Sequence, residues 1–210
     1  MKIFSLSGHL YSGKRTQSEF SDDAVVLLPD SAYVKSGKPV FPPIEEGEPV
    51  AVMPVLVLKM NRIGKSIAPR FIHRYYSAIT VGYSLLLPEL LDTLSSQGVS
   101  TFSAYGFDGA LVWGETGFSP ELIRENGAVK VFHQKGEAQE EIHIPVELLT
   151  KAEETLARLS RYHTIKIGDI FLLPLRQAFD TAAIGDNLCL LLEDTNQKEE
   201  AQLLTRLSLR

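Results

Sequence analysis

Cysteine is nearly absent: Cys189 stands alone, so no intramolecular disulfide is possible. Its place in the apolar run 188–192 makes it a small buried hydrophobe rather than a nucleophile. Long hydrophobic runs are absent too. No stretch approaches the roughly 18 to 20 consecutive apolar residues of a membrane-spanning helix, and the opening Met1-Lys2-Ile3-Phe4-Ser5-Leu6 is too short for the apolar region of a secretory signal. A cytoplasmic protein without a membrane partner is expected. Nor is there an excess of positive charge, since 26 acidic residues face 21 basic ones for a net charge of -5. The lysines and arginines are scattered along the chain, so no footprint for a phosphate backbone is visible and nucleic acid is not an expected partner. Internal repeats, low-complexity linkers and composition breaks are also missing, which leaves 1–210 as a single domain.

What is present reads as a β-rich α+β chain. Short runs of Val, Ile, Leu and Phe, separated by Gly, Pro and Asp turns, predict strands at 2–6, 24–28, 50–60, 79–85, 110–114, 129–134, 140–144, 170–173 and 188–193. Lys135-Gly136-Glu137 sits between two of them as a hairpin tip. Gly168-Asp169 and Gly185-Asp186 each form a tight turn feeding an apolar run. Helical periodicity is clear at Val146, Leu149, Ala152, Leu156 and Leu159, predicting a helix over 145–161. A shorter helix is expected from Ser66 as N-cap, with Pro69 in its first turn, through Tyr75. A third covers 88–96 and stops at Gly98.

Gly8-His9-Leu10-Tyr11-Ser12-Gly13-Lys14 imitates a phosphate-binding loop, but Arg15 stands where a magnesium-holding hydroxyl would be needed. The next strand follows too soon for a parallel crossover with its helix. The segment is read as a polar surface loop.

Three segments carry a resemblance to a known family. The longest runs Arg62-Ile63-Gly64-Lys65-Ser66-Ile67-Ala68-Pro69-Arg70-Phe71, then His73-Arg74-Tyr75-Tyr76, to Thr80-Val81-Gly82. The second is Pro29-Asp30-Ser31-Ala32 with Gly37-Lys38-Pro39. The third pairs Gly106-Phe107-Asp108-Gly109 with Lys166-Ile167-Gly168-Asp169. Threaded in order through 24–190, these resemble the small bacterial members of the fumarylacetoacetate hydrolase family, with 1–23 divergent. The resemblance implies a mixed β-sandwich roll with a few short helices, paired as a homodimer. It also implies a bound Mg2+ or Mn2+ and cleavage, isomerisation, tautomerisation or decarboxylation of small keto acids of the acylpyruvate or oxaloacetate type. Such chemistry uses the cation to hold the substrate oxygens and stabilise an enolate, which requires several fixed oxygen ligands.

Carried over position by position, the family's metal site is missing. Its Glu-x-Glu pair, which strand alternation aims at one face, falls on Met53 and Val55. The third carboxylate falls on Ser84, and the lysine ahead of the glycine-phenylalanine-aspartate-glycine turn falls on Tyr105. A soft thioether and an aliphatic chain are not ligands for a hard cation. The family's threonine-glycine-threonine-proline loop falls on Leu173-Pro174-Leu175-Arg176, and its histidine and glutamate acid-base pair near Lys14 and Gln17. Glu89 and Arg176 are the possible substitutes. Glu48 has the wrong strand parity, Asp108 reads as a turn former, and His73 and Arg74 as framework residues. His9, His133, His143 and His163 share no ligand spacing, with His133 and His143 on separate hairpin arms.

Losing the carboxylates together is physically consistent, because carboxylates buried without their cation cost several kcal/mol each. The expectation is therefore a chain with no catalytic residues, no metal and no cofactor, kept for a structural or regulatory role as a homodimer or with an active paralogue. Two alternatives stay open. One is a hydrolase, isomerase or decarboxylase with a rebuilt site, and the other a sensor that binds a small-molecule acid.

Overall fold

The computed structural model describes residues 1–6, 25–45, 47–176, 178–193 and 201–210. The strands along the chain are β1 (Ile3–Ser5), β2 (Val26–Leu28), β3 (Tyr33–Lys35), β4 (Pro39–Val40), β5 (Val50–Met60), β6 (Tyr76–Leu86) and β7 (Leu111–Trp113). They continue with β8 (Ala128–Lys135), β9 (Ala138–Pro145), β10 (Ile170–Pro174), β11 (Asp180–Ala182), β12 (Asn187–Leu192) and β13 (Gln202–Leu209). Three α-helices accompany them: α1 (Pro88–Ser96), α2 (Pro120–Asn126) and α3 (Val146–Tyr162).

β5 and β6 organise the larger sheet because they are long and apolar on both faces, as an interior strand must be when each face packs against something. Around this antiparallel pair the order is β2-β1-β10-β5-β6-β7-β3, with β11 also on β5. The β1–β10 and β3–β7 pairs are parallel, so the sheet is mixed. A second sheet runs β4-β13-β12-β8-β9. Strand alternation splits the larger sheet's side chains into two sets. Val52, Leu56, Leu58, Val81, Tyr83 and Leu85 join Val131, Leu188, Leu190 and Leu207 of the second sheet, together with α3, in one apolar cluster. Ala51, Met53, Val55 and Val57 face the other way, into a cluster with Leu111, Trp113, Leu172 and Tyr105.

The β-rich α+β reading holds, and β5 begins and ends where the sequence placed it. Corrections fall on short or irregular elements. The segment after Ser66 is a 3-10 helix, Pro69–Arg74, entered from Ala68 without a side-chain cap. Ser66 is not an N-cap: it sits at φ +52°, a left-handed conformation uncommon for residues other than glycine, and its N–H donates to the Ser160 carbonyl at 2.8 Å. β6 starts at Tyr76, three residues earlier than the apolar run suggested.

β3, β4, β11 and β13 were not anticipated, nor was α2. The first three are two or three residues long and too short to show alternation. β13 pairs with β12 through a register shift at Leu190/Leu191, which breaks its pattern. α2 did carry a readable start, since the Ser119 hydroxyl accepts from the Glu121 N–H at 3.2 Å and Pro120 follows in the first turn. The loop imitating a phosphate-binding motif, and Lys14 and Gln17, lie outside the described residues.

Candidate functional site

The four positions that would carry the family's metal and substrate charges come together on the second face of β5 and β6. Met53 pairs with Ser84 and Val55 with Gly82 across the β5–β6 ladder. Met53, Val55 and Ser84 have no solvent exposure, and Tyr105 is buried beside them in the same packed region. β7 continues the sheet beyond β6. Gly82 lies opposite Trp113, and a Cβ on it would stand 2.5 Å from the Val112 carbonyl oxygen and 2.8 Å from the Trp113 Cβ. Glycine at 82 thus leaves room for Trp113 and the Val112 carbonyl on the neighbouring strand. Tyr33 stacks on Trp113 at 4.0 Å between ring centroids, and its hydroxyl donates to the Trp113 carbonyl at 3.3 Å. Tyr105 meets Phe102 edge-on at 6.0 Å.

The donor chemistry of this face decides whether it can hold a hard divalent cation. Mg2+ and Mn2+ take several oxygen ligands, carboxylates above all. The wall at β5 and β6 offers one serine hydroxyl beside a thioether, an isopropyl group and a glycine. Among the described residues, no group of three His, Cys, Asp or Glu side chains is arranged to hold a metal. The residues present do not fit the ion.

The two substitute candidates lie elsewhere. Glu89 is exposed in the first turn of α1. It lines a cleft of about 450 Å³ with Glu45, Glu48, Ile44, Leu87 and Leu90, and none of Met53, Val55, Ser84 or Tyr105 borders that cleft. Arg176 bridges the sheets: its Nη1 donates to Asp180 Oδ2 on β11 at 2.5 Å, and its Nη2 lies 2.7 Å from Glu140 Oε2 on β9 of the second sheet. Asp108 is exposed in a turn, His73 and Arg74 are exposed at the end of the 3-10 helix, and Glu48 is part of the cleft loop.

Arg176 belongs to a polar cluster between the sheets that sequence reasoning missed. His133 on β8 and Tyr83 on β6 meet edge-on at 5.7 Å, and His133 Nδ1 is 3.5 Å from Asp180 Oδ2. Burial, and then the Arg176 guanidinium, hold the His133 imidazole below its ordinary value, against the opposite pull of Asp180 and Glu140. Burial, reinforced by Cys189, pushes the Tyr83 phenol well up. Its members come from five separate segments, so no local pattern announces the cluster. Chemically it is a buried imidazole and phenol beside ion pairs whose carboxylates, Asp180 and Glu140, reach solvent.

No family model matches the sequence, and no curated protein does. Solved structures match across the chain. A fumarylacetoacetate isomerase/hydrolase-type protein from Oleispira antarctica is 17% identical, with a TM-score of 0.73 over 100% of this chain and 93% of its own. The fumarylpyruvate hydrolase of Pseudomonas aeruginosa, solved with Mn2+ and pyruvate, is 15% identical, with a TM-score of 0.69 over 100% and 90%. The 5-carboxymethyl-2-hydroxymuconate delta-isomerase of Mycobacterium smegmatis is 15% identical, with a TM-score of 0.71 over 99% and 78%. At these identities the likeness establishes a shared fold.

Proposed function

We propose that this chain, which has the fold of the fumarylacetoacetate hydrolase proteins, is a non-catalytic version of it that acts by binding. The observation that carries this reading is the Met53–Ser84 and Val55–Gly82 ladder, fully buried in an apolar cluster, where catalysis would need carboxylates and an open metal. A catalytic cation requires fixed oxygen ligands and a free coordination position for substrate. Neither is supplied by a thioether and an isopropyl group inside a packed cluster. Glu89 lies in a cleft that neither Met53 nor Arg176 lines, and the Arg176 guanidinium pairs with Asp180 and Glu140; this supports the same reading, because a rebuilt site would need the two side chains to converge. The role is structural or regulatory, carried out as a homodimer or in a pair with an active paralogue.

The test is turnover of acylpyruvates and oxaloacetate by the purified chain with Mg2+ or Mn2+. The expected rate equals that of buffer and metal alone. Saturable turnover that disappears in a Glu89→Ala or Arg176→Ala variant of unchanged melting temperature would instead establish a rebuilt active site.

A further inference from the structure

Between residues 61 and 75, and again between 155 and 168, the sequence has no Asp or Glu. The fold lays these stretches side by side. Gly64 and Ile165 form an antiparallel bridge, the Ile67 N–H donates to Ser160 Oγ at 2.8 Å, and Lys65 Nζ donates to the Tyr162 carbonyl at 2.9 Å. Cations that look scattered along the sequence are therefore carried on two segments that lie side by side. Arg62, Lys65, Arg70, Arg74, Arg161 and Lys166 are all exposed, and none of them makes an ion pair among the described residues. Asp169, the next acid along the chain, is buried and held by Lys2 at 2.7 Å.

Apolar side chains stand among these cations. Ile63 is 65% exposed, Ile167 72% and Tyr162 78%. Arg70 and Arg74 stack on the Phe71 ring at 4.7 and 4.9 Å, which fixes two guanidinium groups before anything binds. Six cations gathered on one face repel one another, so the arrangement adds nothing to the stability of the isolated chain. Aliphatic and aromatic groups ringed by arginine are the anatomy of a protein interface.

We propose that this face docks an acidic polypeptide segment bearing aliphatic side chains. Its carboxylates would pair with Arg62, Arg70, Arg74 and Lys166, and its aliphatic groups would cover Ile63, Ile167 and Tyr162. Four of the six cations are arginines, whose planar fork takes a carboxylate two oxygens at a time. An anionic bilayer attracts lysine and arginine alike. A nucleic acid backbone would engage the cations and leave the two isoleucines without a partner. The inference is independent of whether the Met53 face ever holds a metal.

The test is fluorescence anisotropy of a labelled glutamate peptide with interspersed leucines, against its all-glutamate counterpart, titrated with the full chain. The leucine-bearing peptide is expected to bind more tightly. Arg70→Glu with Arg74→Glu should weaken it about tenfold or more, and Arg70→Lys with Arg74→Lys several-fold. Ile63→Ser with Ile167→Ser should erase the preference for leucine. These residues are exposed, so melting temperatures of the variants should stay close to that of the parent. Failure to bind either peptide would overturn the proposal. So would tighter binding to phosphatidylglycerol vesicles or to a DNA duplex that survives the lysine and serine substitutions.

Discussion

Val55 shows how a single side chain can decide the chemistry of a site. It has no solvent exposure and faces Gly82 in a cluster of Leu, Ile, Met and Trp. A glutamate there would lose its hydration and gain no cation, since the neighbouring positions are Met53 and Ser84. Val55→Glu is expected to destabilise the fold by about 3 kcal/mol or more, the range for an unpaired charge introduced into a core. Urea denaturation measures it, and millimolar Mg2+ should not restore the loss. An unchanged midpoint would mean that water or a metal already reaches this face. That 53 and 55 share one face was legible from strand parity, and the β5–β6 register brings 84 opposite 53. Arg176 was not legible: β10 ends at Pro174, and the bend beyond it turns the guanidinium toward Asp180 and Glu140.

At the scale of elements, the polar cluster ties β8 and β9 to the larger sheet through His133, Glu140, Arg176 and Asp180. The sign of its pH dependence follows from the depressed His133 value. Above about pH 6.5 the imidazole is neutral in folded and unfolded chains alike. As pH falls below that, the unfolded chain takes up its proton first, so stability declines until the folded state's lower value is passed. His133→Gln, which cannot titrate, is expected to flatten this slope between neutral pH and the acid limb. Denaturant midpoints measured across that interval check it, and an identical slope in both proteins would assign the effect to other groups. Long elements such as β5 and α3 could be read from their periodicity. Elements of two or three residues could not, since they are defined by their partners: β4 exists because β13 runs beside it, and β3 because of β7.

At the scale of the whole molecule, a fold shared with solved hydrolases and isomerases carries an apolar face at Met53 and Val55. β5, β6 and β7 still carry the frame, and the apolar side chains on that frame now contribute to its packing. Burying an aliphatic chain of this size stabilises by roughly 1.5 to 3 kcal/mol, so Met53 and Val55 support the fold. Binding at other surfaces is the route to function proposed above. The measurement that bears most directly on this account is the melting temperature with and without millimolar Mg2+ or Mn2+. A cation at 100 times its dissociation constant stabilises the native state by about 2.7 kcal/mol. A face without oxygen donors should give no shift; a clear rise with either metal, lost on adding chelator, would establish a cation site in the chain.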